Sequence, residues 1–111
     1  MSTKEANKKL CQIINFRNTY RMRLLTRDEK EELQKLNGIL DYCLSSLKSD
    51  FQEILNESYF NVSYKFWWVD YYSKSAFYRR REKAITSFVS LFEMINENFI
   101  SIPGIAFSDS K

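Results

Sequence analysis

Between Lys74 and Lys83 the chain sets five cations, Lys74, Arg79, Arg80, Arg81 and Lys83, with Ser75 and Tyr78 among them. Such side chains donate to phosphate oxygens and base edges. Counting about 100° per residue from Phe77 as the inward direction, Ala84 and Phe88 share its face. Ser75, Arg79 and Glu82 fall opposite, Tyr78 and Lys83 on the flanks, and Arg80 and Arg81 at the margins of the buried face. Three consecutive arginines therefore cannot all enter one groove. Arg79 is the candidate for reading a base, and Lys74, Arg80, Arg81 and Lys83 are candidates for phosphate. The competing reading is a solvated charged surface with no ligand.

Catalysis has little support. The chain contains no histidine, so acid–base work would fall to Asp, Glu, Lys, Tyr or Cys, and no pair of these stands at a telling spacing. Its two glycines, Gly38 and Gly104, make no phosphate-cradling loop. Cys11 and Cys43 lie far apart, without a second ligand at metal spacing. Both thiols are expected as small core groups on helical faces, and no metal or other cofactor is expected. The chain does not read as an enzyme.

The elements that must hold the cations follow from composition. A chain of 111 residues is about one domain long. Two glycines and one proline, against abundant Lys, Glu, Leu and aromatic residues, predict an all-α fold. No run reaches the roughly 20 apolar residues that span a bilayer, so no membrane contact is expected. The polar first nine residues do not open a signal peptide, which points to the cytoplasm and argues against a disulfide. Net charge is +3, yet residues 64–87 carry six cations against two anions and 31–63 carry six anions against two cations. A basic face set against an acidic one suits nucleic-acid contact through a defined surface.

About five helices are expected. The first spans residues 4–20, with Leu10, Ile13, Ile14 and Phe16 as its apolar stripe. Thr26 and Glu29 form a capping box that opens a second helix to about residue 47. Gly38, after Asn37, should weaken that helix by about 1 kcal/mol relative to Ala, or bend it. Ser49 and Gln52 repeat the capping spacing before a short third helix with Phe51, Ile54, Leu55 and Tyr59. Ser63 opens a fourth helix over 64–71. Ser73, an N-cap residue, opens a long final helix over 74–99 that no Gly or Pro interrupts. The dense aromatic run 66–72 reads as core, with Trp N–H and Tyr O–H groups finding partners at its edge. The alternative is a platform stacking on unpaired bases. Residues 1–99 form one helical domain, with a C-terminal helix-turn-helix over about 49–88, and 100–111 a flexible tail. Residues 88–95 make the last helix apolar around most of its circumference, with Phe88, Leu91, Phe92 and Ile95 as the candidate contact for a second copy. That segment packs either on the first two helices or on a second copy, as a homodimer.

The run 47–60, the aromatic segment after it, and Tyr72-Ser73-Lys74-Ser75-Ala76-Phe77-Tyr78-Arg79 through Lys83-Ala84 resemble the region-4 helix-turn-helix of sigma-70-type factors. The similarity is to the small regulators of low-GC bacteria and their phages, such as the ArpU type, and to short mollicute proteins. The resemblance covers residues 47–88. It implies that the final helix lies in the major groove of double-stranded DNA, with Lys74, Ser75, Tyr78 and Arg79 facing DNA and Phe77 and Ala84 holding the helix to its neighbours. It also implies a contact with RNA polymerase. In two respects the residues depart from that pattern. Trp67 and Trp68 stand where the family keeps a small residue, and Tyr71 where Gly or Asn precedes the turn, so the turn is expected to be wider or the interhelical angle different. The expected function is that of a sequence-specific DNA-binding transcription regulator. The alternative is a protein-interaction module that docks on polymerase or another protein without reading DNA.

Overall fold

A computed structural model describes residues 2–21, 25–60, 62 and 64–98. Four α-helices are formed among the described residues, and none of these residues is in a strand. They are α1 (Thr3–Arg21), α2 (Arg27–Ser45), α3 (Ser49–Leu55) and α4 (Lys74–Asn98). No described helix is long and apolar enough to cross a membrane.

Each helix follows from its residues. On α1, Ala6, Leu10 and Ile13 recur at helical spacing and are fully buried, with Ile14 and Phe16 packed beside them. Thr26 and Glu29 close the expected capping box: the Glu29 N–H donates to Thr26 Oγ1 at 3.2 Å, and the Thr26 N–H donates to Glu29 Oε1 at 3.0 Å. Helix α2 runs unbroken past Gly38. It buries Leu36, Ile39, Leu40 and Cys43.

The second expected box does not form. Lys48 is the N-cap of α3 and makes no side-chain cap. The helix starts one residue early, so Ser49 lies inside its first turn, and the Gln52 side chain instead donates to the Leu47 carbonyl at 2.8 Å. Past Leu55 the helix widens into one π-turn, Asn56–Phe60.

The largest correction concerns residues 64–72. They form no helix but a succession of turns, with Trp67 N–H to Tyr64 C=O at 3.2 Å, Val69 N–H to Phe66 C=O at 3.1 Å and Tyr71 N–H to Trp68 C=O at 2.9 Å. Two causes are visible. Aromatic and β-branched residues have modest helix propensity. Trp67 and Trp68, neighbours that a helix would point about 100° apart, are also both buried on Phe77. Ser63, the expected cap, and the expected tail 100–111 lie outside the described residues.

Two cores result. The main one joins α1, α2 and α4 with Leu55 of α3, and Phe88, Val89 and Phe92 of α4 are fully buried in it. The question of what covers α4 is thereby answered within one chain. Phe88 and Phe92 are enclosed, and Leu91 and Ile95 pack against the same cluster, so the face considered for a homodimer is largely used. The smaller core holds Ile54, Trp67, Trp68 and Phe77, with Tyr72 against it. Cys43 is buried as expected, and burial pushes its thiol up to about 12. Cys11 is exposed instead, since it lies one position off the Ala6, Leu10 and Ile13 stripe.

Candidate nucleic-acid interface

The start of α4 is fixed by its cap and by one ring. The Ala76 N–H donates to Ser73 Oγ at 3.3 Å, and the Phe77 N–H to the Ser73 carbonyl at 2.9 Å. Phe77 is 3% exposed. Trp68 stacks on it with ring centroids 4.5 Å apart and planes 7° from parallel, and Trp67 meets it edge-on at 5.9 Å. The Trp67 Nε1–H donates to Ser58 Oγ at 3.2 Å, so the π-turn supplies the partner that the buried indole needs. This aromatic clamp sets the rotation of α4 about its own axis, and with it the direction of every cation on the helix.

The three arginines take three different environments. Arg79 is exposed and makes no ion pair among the described residues. Arg80 pairs with Asp50 of α3, with its guanidinium carbon 5.6 Å from the Tyr72 ring centroid. The Tyr72 hydroxyl is held above its ordinary pKa by burial first and by Glu53 and Asp50 after it. Arg81 turns toward the protein. Its guanidinium carbon is 4.7 Å from the Tyr78 ring centroid and 6.0 Å from that of Phe77.

Helix α4 therefore presents two flanks. On one, Arg79, Arg80 and Lys83 meet Lys48, Asp50 and Phe51 of the α3 entrance around a notch of about 240 Å³. Four cations and one carboxylate line it. Only Arg80 is engaged by that carboxylate, so the notch keeps a positive excess able to seat a phosphate. On the other flank, Tyr78 and Arg81 line a second, aromatic cleft. Lys74 and Ser75, in the first turn of α4, are exposed and line neither. The structure thus brings together Arg79, Arg80 and Lys83, and separates Arg81 from them.

Lys48 and Asp50 were not among the sequence candidates. Both sit at the start of α3, and nothing local to them signals that α3 packs on α4 some thirty residues later. A basic residue beside the Ser49–Asp50 restart was the sole available hint.

Set against protein-family models, curated proteins and solved structures, the chain finds no match. The reading of this surface accordingly rests on its geometry and charge.

Proposed function

We propose that the chain is a sequence-specific DNA-binding transcription regulator, a binding protein and not a catalyst, in which α4 is the recognition helix of a sigma region-4-like helix-turn-helix and α3 takes the place of the first helix expected over 64–71, which is not formed. The connection between them is longer than the three or four residues usual for that motif. It carries Trp67 and Trp68, which join Ile54 of α3 and Phe77 of α4 in one small core. The first turns of α4 enter the major groove, and Arg79 reads a base while Lys48, Lys83 and Lys74 hold phosphates. Ser75 and Tyr78 flank the reading side chain. Arg80 contributes through the notch and is partly neutralised by Asp50. The observation that carries the reading is the basic notch, where cations from two helices converge with a single carboxylate among them.

The test is selection of bound duplexes from a randomised pool, with the parent and with Arg79→Ala. The parent is expected to enrich a defined site. Arg79→Ala should lose about 1–3 kcal/mol on that site and relax preference at one position. Lys83→Ala should weaken all duplexes alike. A parent that enriches nothing and binds no duplex at low salt would end the proposal.

A second reading is favoured by one observation: Val69 is 54% exposed and Tyr71 73% exposed beside the clamp. Large apolar side chains left in water suit docking on RNA polymerase or another protein. Co-purification of polymerase that Tyr71→Ala abolishes, with duplex selection unproductive, would identify that function instead.

A further inference from the structure

The aromatic cleft on the far flank of α4, about 350 Å³ in volume, has a different chemistry from the notch. Tyr64 and Phe66 are among the rings that line it, and Glu57, Ser58, Lys65 and Arg81 are among its polar side chains. Arg81 is the unusual member. Its guanidinium is held over Tyr78, and its Nε is buried with no hydrogen-bond partner among the described residues. A buried donor of that kind calls for an acceptor.

We infer that this cleft takes one unpaired nucleobase of a single nucleic-acid strand, stacked on Tyr64 and Phe66, with Arg81 donating to the carbonyl edge or phosphate of that nucleotide. Three observations select this occupant. Tyr64 is 63% exposed and Phe66 56% exposed. The cleft is therefore open on the side of its stacking rings, whereas a site for a free small molecule encloses most of its ligand. A base belonging to a continuing strand needs only one ring face and an exit for its backbone. The cleft also mixes charge with rings: Glu57 can accept from a base N–H, and Lys65 and Arg81 can meet phosphate. The buried centre of a protein interface is depleted in charge, which disfavours a peptide. Tyr78, which lines the cleft, finally adjoins Arg79, which lines the notch, so the two sites flank one turn of α4.

The chain carries its own reporter, since its two tryptophans are Trp67 and Trp68, both lining this cleft. The full chain is titrated with a twelve-residue oligothymidylate and, separately, with a blunt hairpin duplex, following tryptophan emission. The oligothymidylate is expected to change the emission. Tyr64→Ala and Phe66→Ala, both at exposed positions outside the cores, should weaken strand binding about tenfold or more, the worth of one lost base stack. Arg81→Lys, which keeps the charge and loses Nε, should weaken it as well. Duplex binding by Tyr64→Ala and Phe66→Ala stays at the parent level. The inference is overturned if the strand leaves the emission unchanged, or if both alanine variants bind it as the parent does. It does not rest on base reading by Arg79. Arg79→Ala is expected to leave the emission change in place, so failure of the duplex reading and failure of this one are separately visible.

Discussion

Arg79, Arg80 and Arg81 show what a single residue's position decides. Helical phase alone turned Phe77 inward and Arg79 outward, and both lie so. Phase could not say that Arg80 meets Asp50, or that Arg81 folds back onto Tyr78, because both contacts depend on how separate segments pack. The cysteines repeat the lesson. Leu10 and Ile13 define the buried stripe, and Cys11 lies a full helical step away from it. Thiol labelling at pH 8 should therefore modify Cys11 quickly and Cys43 only on unfolding, since the buried thiol is pushed up to about 12 and shielded. Equal labelling rates in the native protein would contradict that burial.

A second residue-scale prediction concerns Lys9, which joins α1 to α4. Its Nζ donates to Glu93 Oε2 at 2.9 Å, and that hydrogen bond, against some desolvation, holds the ammonium above its ordinary 10.5. A raised pKa means that the stabilisation is fully present below about 10.5 and fades as pH rises through the higher folded value. Both side chains are mostly buried, so the pair lies between exposed and buried cases, and Glu93→Gln should cost about 1–2 kcal/mol at neutral pH. Urea melts at pH 7 and pH 11.5 should show that difference shrinking at the higher pH.

At the scale of elements, the long helices were legible because caps and periodicity agree. Thr26 with Glu29 marks the start of α2, and the stretch without Gly or Pro after Ser73 carries α4 to Asn98. Gly38 is the informative exception. Its helix is unbroken there, the residue is exposed, and a Cβ built there meets nothing within 4 Å. Gly38→Ala should therefore raise stability by about 0.5–1 kcal/mol, whereas Thr26→Ala should lower it by about 1 kcal/mol. Denaturant midpoints of the two variants on either side of the parent would bear this out. The helix expected over 64–71 is not formed, because aromatic density signals burial without specifying backbone. The turns are imposed by Phe77, which receives Trp67 and Trp68 from adjacent positions, and that ring lies in another element.

For the whole molecule, charge segregation in sequence survives as charge placement in space only in part. The basic run of α4 splits over two flanks, and its strongest cluster is completed by Lys48 from the otherwise acidic region 31–63. Enclosure of Phe88 and Phe92 in the main core makes one chain sufficient to bury the centre of α4. The residues of the basic notch all come from one chain.

The central claim, that cations of α3 and α4 together seat a DNA backbone, is tested most directly by the salt dependence of duplex affinity. The parent should lose log affinity with log salt at about 0.9 per phosphate contacted, and Lys48→Ala with Lys83→Ala should reduce that slope by roughly two contacts. A slope unchanged by the double substitution, or no slope in the parent, would contradict it.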